Sequence, residues 1–116
     1  MIVLVDDERS FRHPPNDLLV FRNSKNAIDW LESLELETVI SQLWLDHDLG
    51  LVGGRKDSIL PFVRKIEELV FFDRCPVIEQ VIVHSANPVG GEQVFAALKK
   101  DFSVARVAAG DYLVVE

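Results

Sequence analysis

An open α/β sheet of five strands, mainly parallel and with helices on both faces, is the fold class this sequence predicts. Two observations lead there. Short Val-, Ile- and Leu-rich runs without polar alternation recur at residues 2–5, 18–21, 39–45 and 77–83, with a weaker one at 103–108. Runs of that kind read as strands buried on both faces. Amphipathic helical patterns fill the intervals after the second, third and fourth runs, and alternation of strand and helix argues for parallel crossovers.

Each element has its own signal. After the strand at 18–21, Ser24 is expected to cap a helix carrying Ala27, Ile28, Leu31 and Leu34 on one side. Asp57 is expected to cap the next, where Ile59, Phe62, Val63, Ile66, Leu69 and Val70 keep a three-four spacing and Pro61 falls in the first turn. Asn87-Pro88 opens a third helix that presents Val94, Phe95 and Leu98 to the core. The connection from Asp6 to Asp17 is short and contains Pro14-Pro15, so irregular chain replaces the first crossover helix. After the last strand, residues 110–116 are too few for a long closing helix and are β-rich in composition.

With 116 residues, the chain is expected to form one domain over 1–116. A hydrophobic fraction of 48% is enough for a packed core. The net charge of −7 opposes sequence-independent binding to duplex DNA. Cys75 is the single cysteine, which excludes an internal disulfide framework and fits a reducing compartment. Met1–Val5 runs straight into Asp6-Asp7-Glu8 without a basic segment, and no apolar stretch approaches the ~20 residues that span a bilayer. Neither a signal peptide nor membrane association is expected, and a cytoplasmic location is.

In open α/β sheets, ligands bind beyond the carboxyl ends of the strands. Three polar clusters fall there: Asp6-Asp7-Glu8-Arg9, Asp46-His47-Asp48-Leu49-Gly50 and His84-Ser85-Ala86-Asn87. Four converging carboxylates cannot all stay ionised unless some pKa values rise or a cation sits among them. Asp6, Asp7, Asp46 and Asp48 are the candidate ligands, and oxygen donors suit Mg²⁺ or Mn²⁺. His47, between Asp46 and Asp48, suits a general acid or a phosphate-neutralising role. His84 opens the loop to a helix N-terminus that attracts anions, where Ser85 and Asn87 add hydrogen-bonding groups. Arg9 can hold a phosphate bidentately. Residues 50–56 read as a flexible basic loop in which Arg55 and Lys56 either reach a substrate phosphate or are simply solvated. Its glycines match neither a Walker nor a dinucleotide fingerprint.

These residues resemble the receiver fold of bacterial response regulators. Asp6-Asp7 resembles the acidic pair after the first strand, and Asp46 stands where the phospho-acceptor would. Asp48 stands at the third metal-ligand position, which in receivers contributes its backbone carbonyl, and Ser85-Ala86 resembles the end of the fourth strand. The receiver lysine is missing from 103–109. His47 and His84–Pro88 are not ordinary receiver features; they resemble the cyclic-phosphate processing receiver domains of bacteria and phages. That pattern is an acidic pair followed closely by Arg, then Leu-Asp-His-Asp-Leu-Gly, then His-Ser-x-Asn-Pro, and it appears here in 6–9, 45–50 and 84–88. The resemblance implies a receiver/flavodoxin-like sheet whose first crossover helix is reduced to a loop and whose last helix is missing.

Three functions are compatible with these features. The first is a metal-dependent phosphohydrolase or phosphodiesterase acting on a small phosphate ester or a nucleic-acid terminal phosphate, cyclic phosphates included. Catalysis is assigned to Asp46, His47 and His84, with Asp46 either a metal ligand or the attacking nucleophile; Arg9, Ser85 and Asn87 bind substrate. The second is a receiver phosphorylated on Asp46. The third is a non-catalytic acidic domain that docks on a protein partner, with which the Phe71-Phe72 pair is compatible.

Overall fold

The computed structural model describes the backbone of residues 1–116 and every side chain except that of Ala109. In chain order the elements are β1 (Ile2–Val5), β2 (Arg9–Phe11), β3 (Leu18–Phe21), α1 (Ser24–Glu32), β4 (Val39–Ile40), β5 (Gln42–Leu45), β6 (Asp48–Val52) and β7 (Arg55–Ser58). They continue with α2 (Leu60–Phe71), β8 (Val77–Ile78), β9 (Val81–Val83), α3 (Pro88–Leu98), β10 (Val104–Arg106), α4 (Ala109–Tyr112) and β11 (Leu113–Val115). One five-stranded sheet runs β3-β1-β5-β9-β10, and every neighbouring pair in it is parallel. All five carboxyl ends therefore share an edge. From β1 the chain goes to one side for β3 and later to the other for β5, so the order reverses between β1 and β5, the position at which open α/β sheets bind ligands.

Side-chain alternation divides the core in two. Val3 and Val5, Leu43 and Leu45, and Val81 and Val83 face a layer built from α1, α2 and α3. Leu4, Trp44 and Ile82 face the other way, onto Leu113 and the half-buried Phe11 and Val107. Helices lie on both faces, but unequally: the three long ones share one, and the second has only the four-residue α4. A two-stranded antiparallel ribbon, β2 with β11, covers the rest of that second face. The short first crossover thus supplies β2, and the β-rich tail supplies β11. Phe11 and Tyr112 stand edge-on to Trp44 at 4.9 and 5.6 Å between ring centroids, closing the layer with aromatic area in place of helices.

Several local expectations are corrected. Asn23, not Ser24, caps α1, its side chain accepting from the Asn26 N–H at 2.8 Å. Ser24 is the first helical residue, and its N–H and hydroxyl donate to the two carboxylate oxygens of Asp57 at 2.8 and 2.6 Å. Asp57 therefore serves α1 rather than capping α2, whose Leu60 N–H reaches Ser58 Oγ at 3.3 Å. Asn87 does cap α3, accepting from the Gly90 N–H at 3.0 Å. The run 39–45 is broken at Ser41, whose N–H and hydroxyl both donate to the Met1 carbonyl, and 77–83 breaks at Glu79-Gln80; β4 and β8 pair parallel beyond the breaks. Residues 50–56 are not a loose loop but most of the β6–β7 hairpin. Its two-residue turn is Gly53-Gly54, with φ of 59° and 78°, the geometry that matches strand twist and that β-carbon-bearing residues resist.

Phe71 and Phe72 do not finish the core. They are 79% and 60% exposed and stack edge-on against each other at the end of α2. Among the described residues, no helix is long and apolar enough to cross a membrane.

The Asp57 bonds tie the start of α1 to the base of the hairpin. Replacing Asp57 by Ala leaves two half-buried donors unmet and is expected to cost about 2 kcal/mol or more, read as a lower midpoint in urea with an unchanged slope. An unshifted midpoint would show that water satisfies Ser24 equally well.

Candidate functional site

Asp6 follows β1 and has no exposed surface. One of its carboxylate oxygens, Oδ1, accepts from the backbone N–H groups of Glu8 and Arg9, both at 2.9 Å. The other, Oδ2, accepts from His84 Nε2 at 3.0 Å, which requires the proton on that nitrogen. Burial alone would raise the Asp6 pKa, but the His84 bond and the two backbone donors outweigh it and hold it below the ordinary carboxylate value. His84, directly after β9, is fully buried beside Trp44, and its Nδ1 has no partner among the described residues.

Asp46 follows β5 and is 5% exposed. Its pKa is pushed up to about 6, by burial first and then by the charge of Asp6, while His84 and Arg9 pull the other way. Arg9 Nη1 stands 3.5 Å from Asp46 Oδ2 and 3.7 Å from Asp6 Oδ2, at ion-pair distance from both. The Arg9 backbone is fixed by Arg22, whose guanidinium donates to the carbonyls of Asp6 and Arg9 and pairs with Glu116.

Asp6, Asp46 and His84 each offer a ligand atom within 4.8 Å of the others, a cluster that could hold a metal ion. The carboxylates of Asp7 and Asp48, both expected among the ligands, stand outside this side-chain cluster. Asp7 lies against the hairpin, where a β-carbon at Gly50 would come 2.7 Å from its Oδ2; Gly50 also has φ of 70°. Partial burial raises the Asp7 pKa, a bond to its own backbone offsets part of this, and the Asp6 and Glu8 charges add to the rise. The Asp48 carboxylate is exposed and turned along the rim, to His47 Nδ1 at 2.8 Å and Asn87 Nδ2 at 3.4 Å. Ser85 Oγ accepts from the Asn87 N–H at 3.0 Å, shaping the entry to α3.

The family model of the cyclic-phosphate processing receiver domain matches residues 1–100. The chain belongs to that family. No curated protein and no solved structure matches it significantly. In this cyclic-phosphate processing receiver domain the three motif segments meet at one sheet edge, with Asp6, Arg9, Asp46 and His84 at the centre and His47, Asp48, Ser85 and Asn87 along the rim.

Sequence reasoning missed the two glycines that make this packing possible. A β-carbon at Gly90 would stand 2.6 Å from His47 Cδ2, so the first turn of α3 lies directly on the His47 ring. The ring's Nε2 is enclosed there with no partner among the described residues. At Gly91 a β-carbon would meet the Arg106 guanidinium at 2.8 Å. Two successive glycines inside a helix, each costing about 1 kcal/mol of helix propensity relative to Ala, were the available signal of a close approach.

Gly90→Ala is accordingly expected to destabilise the domain by about 1–3 kcal/mol despite the gain in helix propensity, seen as a lower thermal midpoint and a displaced His47 resonance in NMR. A stabilised variant would contradict the close contact. A second expectation concerns Asp46 in protein treated with chelator. The native carboxyl keeps its proton to about 6, whereas the unfolded one releases it near the ordinary value of 3.8. Stability therefore falls as pH rises through that window and stays lowered above it. Asp46→Asn removes this penalty, so it should raise the midpoint at pH 8 by ~5 °C and bring little gain at pH 4. An equal gain at both values would show that the charge is not the cause.

Proposed function

We propose that this domain is a metal-dependent phosphoesterase acting on a small or terminal phosphate ester, with cyclic phosphates as the favoured class. The observation that carries the reading is the placement of one guanidinium at 3.5 and 3.7 Å from two enclosed carboxylates of opposite pKa tendency. Buried carboxylates so close favour a hard cation of the Mg²⁺ or Mn²⁺ type, and their oxygens are the right donors. Asp6 and Asp46 would hold it, with Asp7 near enough to add its charge. When bound, such an ion polarises a phosphoryl oxygen and lowers the pKa of its water.

The remaining residues divide the work. His84, expected among the catalytic residues, is enclosed; here it is a positioning residue that fixes the Asp6 carboxylate, as outer partners of metal ligands do. Arg9 neutralises charge on the phosphoryl group, and Ser85 and Asn87 present polar groups beside the N-terminus of α3. His47, expected as the proton donor, has Nδ1 on Asp48 and Nε2 enclosed under the first turn of α3; here it is a positioning residue that holds the rim, and the leaving oxygen takes its proton from water. The family membership supports a phosphate-related role, and the reversal of strand order between β1 and β5 supports the location of the site.

The test is hydrolysis of 2′,3′-cyclic nucleotides, 3′,5′-cyclic nucleotides and a generic phosphodiester by the purified protein with Mn²⁺. Turnover of at least one is expected, abolished by EDTA and lowered at least about 100-fold by Asp46→Ala. No turnover of any, or turnover indifferent to both changes, would overturn the reading. A stable phosphoryl group on Asp46 after incubation with acetyl phosphate, seen by intact mass, would instead favour a signalling receiver.

A further inference from the structure

We infer that Arg9 is a resident counter-cation of the acidic pair: its guanidinium stands in the seat of the divalent ion and must leave it when the ion binds. The inference rests on the phosphoesterase reading's assignment of Asp6 and Asp46 as ligands. Its basis is that Nη1 faces both carboxylates that would hold the ion, at 3.7 Å from Asp6 Oδ2 and 3.5 Å from Asp46 Oδ2. These are distances of charge balance rather than of close hydrogen bonding, so the guanidinium is held by the field of two enclosed anions. A divalent ion held by both carboxylates would neutralise the charge that keeps the guanidinium in place and would repel it at short range, so the two cations compete for the pair.

Only the side chain is free to move. The Arg9 N–H is committed to Asp6 Oδ1, its carbonyl accepts from Arg22 Nη1, and its Cα is paired with Val115 across β2 and β11. With the backbone pinned on three sides and the side chain 22% exposed, the route away from the carboxylates leads outward to solvent at the sheet edge. A guanidinium released there is a bidentate donor without an anion, placed where a phosphoryl group would approach. Binding is therefore ordered: the metal ion first, which frees Arg9, and the phosphate second. By linkage the phosphate in turn tightens the metal.

The experiment measures Mn²⁺ affinity by the EPR signal of free Mn²⁺, with and without inorganic phosphate, for the wild type, R9Q and R9K. Thermal unfolding checks that each variant is folded. R9Q is expected to bind Mn²⁺ on the order of tenfold more tightly than the wild type, R9K to stay close to it, and phosphate to tighten Mn²⁺ in the wild type more than in R9Q. Wild-type binding with R9Q equal or weaker, or with the same phosphate effect in both, overturns the role of Arg9 and leaves the phosphoesterase reading standing. Absence of Mn²⁺ binding in all three proteins overturns both.

Discussion

The Asp6 carboxylate lies fully buried where three chain segments meet: the end of β1, the turn into β2 and the end of β9. Three of its four hydrogen-bonding directions are taken, two by the Glu8 and Arg9 N–H groups on one oxygen and one by His84 on the other. An unpaired charge there would be prohibitively costly, so the ring of donors is a condition of folding as well as of chemistry. The same bonds turn the chain so that Arg9 faces inward and β2 departs toward the second face of the sheet. His84 contributes that contact from a fully buried ring, so the position of Asp6 is fixed from the end of β9 as well as from its own loop.

Electrostatics then makes Asp46 the responsive member of the pair. Asp6 has its charge satisfied by fixed donors, while Asp46, equally enclosed, has an arginine at 3.5 Å and the neighbouring carboxylate working against it. Two like groups whose environments drive their affinities for a proton apart are a common sign of a functional centre. The asymmetry of the fold serves this arrangement. Three helices on one face give a rigid platform, and the β2–β11 ribbon on the other is the element that carries Arg9.

Much of this was legible in the chain. Uninterrupted apolar runs with helical spacing between them predict a parallel sheet, and a parallel sheet puts the residues after each run at one edge; that alone brings Asp6, Asp46 and His84 together. What spacing cannot convey is direction at the level of single side chains. Asp6 and Asp7 are adjacent, yet one turns inward and the other lies against Gly50. Asp48 is two residues from Asp46 and faces the solvent. Asp57 precedes α2 and serves α1, a pairing across 33 residues that no local cap rule contains. The β6–β7 hairpin was hidden because Gly53-Gly54 is read as looseness unless its flanks are seen to pair.

Diffraction at the manganese absorption edge from crystals grown with Mn²⁺ tests the central claim most directly. One anomalous peak is predicted in contact with carboxylate oxygens of both Asp6 and Asp46, with His84 Nε2 still on Asp6 rather than on the ion and the Arg9 guanidinium moved off the pair. A peak bound by the exposed Asp48 instead, or none at saturating Mn²⁺, would contradict the account.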